Sequence, residues 1–536
     1  MFPILLMDVP DADPHLAPGR GSSRGNQCPD RGLVLLWQAR SIYMKLSPLR
    51  PVALPVQNQG EVVEQERSSA AGTSDRAQTF RRLWSRVQLV GTRTRLEYVF
   101  LVIALAWGVV QVFLVPPLQV PDEGDHWFRA WALTDGQLTA DKQGMITLPA
   151  SFAPTADLYK RLVDVAVLPL SLDGQAGFAG YEQLFNTPGP SGTIRIPSRV
   201  ANYGPVGYVP QAVGIGLGRL VGAPPLTCFY LARLGNLLAA VALLFFAIRL
   251  APFGKQLFAL VALLPMTMFE LASVSCDALT ISGAIFFTAL LLWASNRVTL
   301  RRVDVALVLA ASALLLNVKP GYWALVLLVL LIRPAQLRGR IRYVAFVAGN
   351  ALVVVGVFLI VFLLTAGDGR VQAVGAPHAQ LLFILHQPLG FLGILWSNVC
   401  GHLLAWTIES IGILGWFTIA LPAAFYLLIF VAGPMFLIRT SDEEVGPELR
   451  SRALLAAVGV AVFLTMAVAL YAFLEPIGSG FVSIQGRYPG PVWLLLLLSA
   501  YGIRVARRHP GQLFVVGVLL VAMVQNLATL IAYYHS

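Results

Sequence analysis

Val120-Pro121-Asp122-Glu123-Gly124-Asp125-His126 closes the first long apolar run of the chain, Glu97 to Val115. That run matches the about 20 residues an α-helix needs to cross a bilayer. Three carboxylates and a histidine follow at once, where a membrane helix would end. Arg81, Arg82, Arg86, Arg93 and Arg95 come before it. Lys and Arg favour the cytoplasmic side, so the carboxylates are expected on the opposite face. An acidic cluster held there points to proton or metal chemistry on a substrate presented by the lipid.

Composition agrees. Of 536 residues, 57% are hydrophobic and 12% charged, and the mean hydropathy is +0.69. Soluble globular proteins lie well outside that range. The net charge of +11 comes from short basic clusters between apolar runs, a pattern that sets membrane topology. No nucleic-acid motif accompanies it, so the expected partner is the lipid bilayer and not nucleic acid. Cys28, Cys228, Cys276 and Cys400 have no metal-ligand spacing and imply no disulfide framework. Residues 1–90 are rich in Pro, Ser, Gly, Gln and charge. They read as a disordered cytoplasmic tail, or as an overextended start with Met44 as an alternative beginning. No signal peptide is recognisable.

Residues 91–536 read as one all-α polytopic membrane domain. Its first extracytoplasmic loop covers about residues 116–225 and is too long for a simple connection. Within it, Tyr203-Gly204-Pro205-Val206-Gly207-Tyr208-Val209-Pro210-Gln211 leads into a glycine-rich segment that makes a poor spanning helix. That segment reads as interfacial or re-entrant. Further spans are predicted near 227–250, 256–272, 276–295, 303–318, 321–333, 342–365, 413–438, 453–474, 489–506 and 512–534. Basic clusters at Arg297/Arg301/Arg302, Arg333/Arg338/Arg340/Arg342, Arg439/Arg450/Arg452 and Arg504/Arg507/Arg508 fall at alternate ends. About eleven spans, with the N-terminus inside, satisfy all of them. Residues 366–412 are ambiguous. Leu381 to Trp396 lies in the interface or adds a span, which widens the count to about 10–13.

This topology gathers polar residues from distant loops on the face of the acidic cluster. They are Asp277 in Ser273-Val274-Ser275-Cys276-Asp277, Lys319 in Val318-Lys319-Pro320, and Gln485-Gly486-Arg487-Tyr488. Ionisable groups at membrane depth are costly and are usually paired or functional. Together with Pro116-Pro117-Leu118-Gln119-Val120-Pro121-Asp122-Glu123 and the Tyr-x-Pro-x-x-Tyr-x-Pro segment at Tyr203, these motifs resemble GT-C glycosyltransferases. They resemble more closely an uncharacterised bacterial branch catalogued as a predicted membrane protein of unknown function. The resemblance covers about residues 96–534. Asp125, a third carboxylate, departs from the pattern.

The resemblance implies a GT-C-like fold in a bacterial plasma membrane. It implies sugar transfer from a polyprenyl-phosphate donor to a glycan, lipid or protein acceptor. Asp122 or Glu123 would take the acceptor's proton. Arg487 would hold the departing phosphate by its bidentate fork, with Lys319 as a second point charge. Asp125, His126, Tyr203, Tyr208, Asp277, Gln485 and Tyr488 complete the substrate-binding candidates. The carboxylates could also hold Mg²⁺ or Mn²⁺.

Plainer readings exist for most of these residues. Pro121 with two acids after it is also how an ordinary helix starts. Asp125 and Arg129 could form a surface pair. His126 reads as a helix-face residue, and Asp277 as a cap for a helix starting at Ala278. Lys319 could snorkel, and the three tyrosines could anchor the interface. A transporter or flippase of a lipid-linked or small polar substrate is the alternative function. It would place charges near the bilayer midplane and show repeated halves, and neither is evident.

Overall fold

Helix α1, Leu96–Leu114, is an apolar cylinder of 19 residues, about 28 Å long. It stops where Val115 turns extended ahead of Pro116 and Pro117, because proline disfavours helix in the residue before it. The computed structural model describes residues 95–165, 178–187, 191–200, 203–319, 321–365, 376–438, 446–502 and 512–535. The chain divides after Phe80, and all described residues belong to the unit Arg81–Ser536. The expected tail at 1–90 lies outside them.

The described residues of the first loop form helices and strands. The loop contains α2 (Glu123–Thr134), β1 (Met145–Pro149), α3 (Ala153–Val165), α4 (Phe178–Asn186), β2 (Thr193–Pro197) and α5 (Val209–Leu220). The strands pair antiparallel, with Thr147 opposite Arg195. An aromatic core fastens the loop to the bundle. Trp127 meets Phe229 at 5.1 Å, and Trp131 meets Phe152 at 4.7 Å between ring centroids. Phe229 belongs to α6, Pro225–Leu250. Helix α5, with 12 residues, is too short to span and lies along α6. Glycines permit that approach, since a Cβ on Gly214 would stand 2.2 Å from the Leu231 carbonyl oxygen.

Seven described helices are long and apolar enough to cross a membrane. They are α1, α6, α9 (Asp277–Ser295), α11 (Arg340–Thr365), α13 (Pro388–Gly412), α15 (Leu449–Leu474) and α17 (Gln512–Tyr534). Helix α9 is the most deeply buried and α11 the least. Six of the seven match predicted spans. The seventh, α13, falls in the region that the hydropathy pattern leaves ambiguous.

Other predicted spans are shorter or broken. Residues 256–272 form α7 (Lys255–Ala262) and α8 (Pro265–Leu271), interrupted before Pro265. Residues 303–318 form α10, Arg302–Leu316, of 15 residues. Residues 321–333 hold a 3-10 segment, Trp323–Leu331. Residues 413–438 hold a hairpin of β3 (Ile413–Leu414) and β4 (Ile419–Ala420), then α14, Ala423–Ala432. Residues 489–506 hold α16, Gly490–Ala500. Helix α12, Pro377–His386, precedes α13. Proline stands in the first turn of α8 and α16, and Gly321 takes a φ of +108° before the 3-10 segment. An average of hydropathy does not register such breaks.

Many of the polar contacts lie toward the bundle's ends. At one end, Lys255 meets Glu97 at 4.0 Å and Gln256 donates to the Ile438 carbonyl at 3.1 Å. There too Arg452 donates to the Ser499 carbonyl at 2.8 Å, and Arg333 pairs with Glu448. The opposite end gathers the acidic cluster and its partners.

Candidate functional site

Asp122 begins the site. It precedes α2 in the left-handed conformation, φ 61° and ψ 4°, which Asp tolerates better than most residues. The turn aims its carboxylate at Arg487, which donates to it from Nη2. Arg487 is otherwise buried among fixed partners. Its Nε donates to Gln485 Oε1 at 2.8 Å, Nη1 to the Pro121 carbonyl at 3.1 Å, and Nη2 to the Tyr488 hydroxyl at 3.0 Å. Glu270 and Asp277 carboxylate oxygens each lie 3.7 Å from Nη1. Burial alone would push the Asp122 carboxyl up, but the Arg487 charge and hydrogen bond outweigh it and hold it below its ordinary value.

Lys319 supplies the second cation. Its Nζ donates to Asp277 Oδ1 at 2.6 Å. It also lies 4.5 Å from the Tyr488 ring centroid and 5.2 Å from that of Tyr203, in cation–π range. Burial opposes the ammonium's charge, but Asp277 prevails and raises its pKa well above the usual lysine value. Lys319 therefore does not snorkel to an interface. Nor does Asp277 cap a following helix. It is itself the first residue of α9, and its backbone N–H donates to Ser275 Oγ at 3.1 Å while its carboxylate serves Lys319.

His126 and the tyrosines form the wall. His126 shares a 2.8 Å hydrogen bond with the Tyr208 hydroxyl through Nδ1 and stacks 6.2 Å from Tyr203. Burial holds its pKa down to about 4, so the imidazole is neutral near pH 7. Tyr208 is fully buried, and Tyr322 fixes the Tyr488 backbone by donating to its carbonyl at 2.6 Å. Tyr203, Tyr208 and Tyr488 pack against His126, Lys319 and Arg487. Asp125 sits beside the site, accepting from the Tyr159 hydroxyl at 2.8 Å. It is not paired with Arg129, which donates to the Gln137 and Leu138 carbonyls. Burial, then the Asp122 charge, pushes Asp125 up to about 7.

Glu123 is placed differently from its neighbour. It is fully buried and accepts from Arg233 Nε at 2.8 Å and Nη2 at 2.7 Å. It also accepts from the backbone N–H groups of Leu118 and Val274, both at 3.0 Å. Arg233 in turn donates to the Val112, Val115 and Pro116 carbonyls. These bonds saturate the carboxylate and weld the end of α1, the loop after it and the 272–276 turn into one piece. Asn236 adds 2.7 and 2.8 Å bonds to the Ser273 and Ser275 carbonyls.

Arg233 and Glu270 do not figure among the residues predicted from sequence. The signal was an ionisable residue inside an apolar run, which is as costly as one at its end. Among the described residues no group of three or more His, Cys, Asp or Glu side chains is placed to hold a metal ion. Arg487 lies against Asp122, Glu270 and Asp277, and Lys319 lies against Asp277.

A buried guanidinium against a half-exposed carboxylate, with a buried ammonium joined to it through Asp277, can bind an anion and accept a proton beside it. The family model described as predicted membrane protein (DUF2142) matches residues 105–497, more than half of the chain. No curated protein and no solved structure matches it significantly.

Proposed function

The chain belongs to the family of predicted membrane proteins (DUF2142), and from that premise we propose that it is a membrane glycosyltransferase using a polyprenyl-phosphate-linked sugar. The observation that carries this reading is that Arg487 holds Asp122 while Arg487 and Lys319 share Asp277, which gathers two buried cations at one site. Asp122 takes the proton of an acceptor hydroxyl. The hydroxyl oxygen bonds to the anomeric carbon as that carbon's bond to the phosphate oxygen breaks. The phosphate leaves with the electron pair and is stabilised by Arg487, with Lys319 as the second positive charge. Asp122 carries the base role alone, because Glu123 is committed to Arg233.

The site faces the extracytoplasmic side in this reading, since the basic clusters occupy the other end. Eleven crossings remain the preferred count. Helix α13 follows the loop after α15, with Asn398 on the Gly480 carbonyl at 2.9 Å and Glu409 on the Gly486 N–H at 3.0 Å. We read it as lying against that loop at the outer boundary and not as a further crossing.

The test is complementation. Cells lacking the protein are supplied with wild type or Asp122→Asn, and their envelope glycans and glycolipids are profiled by mass spectrometry. Wild type should restore a sugar modification that Asp122→Asn, expressed at the same level, does not. Full restoration by the variant overturns the assignment. General-base losses of about 10²–10⁴ in rate leave little room for a partial effect.

A further inference from the structure

Arg487 has three carboxylates around it, and they are not equivalent. Asp277 and Glu270 side chains are 3% and 0% exposed, whereas Asp122 is 40% exposed. Of the three, Asp122 alone has the exposure that lets it move off the guanidinium. The guanidinium would not follow it. Nε stays on Gln485 and Nη1 on the Pro121 carbonyl, with Glu270 and Asp277 3.7 Å from Nη1. What Asp122 vacates is Nη2, the nitrogen it now occupies. Asp122 also sits in a left-handed backbone conformation that few residues other than glycine adopt.

We propose that the Asp122 carboxylate is an internal placeholder for an anionic phosphate group, which displaces it from Arg487. The proposal rests on the reading of Arg487 as the phosphate site. It adds a regulation: the base is withheld while no phosphate is bound. A carboxylate shared with a guanidinium is a poor proton acceptor, since the Arg487 charge holds its proton affinity low. Once a phosphate takes Nη2, Asp122 is released beside the bound group with its affinity restored. Activation of an acceptor, water included, is thereby tied to the presence of the phosphate ligand.

The consequence is unusual for a site residue: removing Asp122 should strengthen phosphate binding. Asp122→Asn keeps the size and tolerates the left-handed conformation, and Asp122→Gly tolerates it better still. Binding of a polyprenyl monophosphate to the full-length protein in nanodiscs, and of inorganic phosphate, is measured for wild type, both variants, Arg487→Lys and Asp122→Asn combined with Arg487→Lys. Losing one charge-assisted competitor should tighten lipid-phosphate binding at least about tenfold. The gain should vanish when Asp122→Asn is combined with Arg487→Lys. A gain for the lipid alone assigns the site to a lipid headgroup, and a gain for both probes to the phosphate group itself; either bears out the exchange. Equal or weaker binding in both Asp122 variants overturns it, even where wild type binds the lipid and the phosphate-site reading stands. Absence of binding to wild type and variants alike overturns both.

Discussion

Asp122 and Glu123 are adjacent and chemically alike, yet their surroundings give them opposite sensitivities. Glu123→Gln leaves the fully buried Arg233 without its ion pair. Breaking such a pair costs about 3–5 kcal/mol, because one charge stays buried and uncompensated. Purified Glu123→Gln should melt well below wild type or fail to accumulate, while Asp122→Asn melts close to wild type. Equal melting of the two variants would dismiss the Arg233 anchor. Asp125 gives a pH signature. Its folded pKa of about 7 lies above the ordinary 3.8, so the folded state holds this proton more tightly than the unfolded chain. That contribution is complete below about pH 3.8 and is lost as pH rises toward 7. His126, lowered from 6.5 to about 4, contributes in the reverse sense, and its share is lost as pH falls through that window. Asp125→Asn removes the first effect alone. The melting temperature of Asp125→Asn minus that of wild type should rise from pH 4 to 7 and level off above. A difference that stays flat across this range would show that Asp125 is ionised throughout.

At the scale of elements, close approaches decide how the site is assembled. A Cβ on Gly204 would lie 1.9 Å from the backbone oxygen of Asn317, an atom that cannot yield without moving the turn carrying Lys319. A Cβ on Gly486 would lie 2.1 Å from Glu409 Cβ, wedging α13 away from the loop of Arg487. Gly283, inside α9, has open space around it. Gly204→Ala and Gly486→Ala should each lose about 1–3 kcal/mol of stability. Gly283→Ala should gain up to about 1 kcal/mol from helix propensity. Thermal unfolding of the three variants checks the ranking, and a destabilised Gly283→Ala would mean that α9 packs against something further. Much at this scale is legible in the chain. Long apolar runs with basic ends mark six of the seven long helices, and the shared side of the loops brings Asp277, Lys319 and Arg487 to the acidic cluster. The rest is not. Glu123 and Arg233 are 110 residues apart, and only the packing of α6 on α1 reveals that they meet. Pro265 and Gly321 break runs whose average hydropathy is that of continuous helices.

For the whole molecule, the decisive quantity is which end faces the cytoplasm. Polyprenyl-linked chemistry on the outer surface requires the Asp122 end to be outside, and the positive-inside bias of the opposite end argues for it. Two exposed positions report on the two ends. Lys142 lies in the first loop, just before β1, and Val298 lies in the turn between α9 and α10, with 90% of its surface exposed. The background is simple to prepare. Cys228 and Cys276 are buried and can stay, while Cys28 and the exposed Cys400 are replaced by serine. Lys142→Cys should react with a membrane-impermeant maleimide in intact cells, and Val298→Cys only after the membrane is opened. The reverse pattern would put the acidic cluster in the cytoplasm. Arg487 would then face nucleotide-linked as well as lipid-linked phosphates, and the polyprenyl donor would lose its topological support. Labelling of both positions in intact cells would instead mean an even number of crossings between residues 142 and 298. In that case one of the pieces α7–α8 or α9 turns back within the bilayer, and the broken helix at Pro265 is where that return would occur.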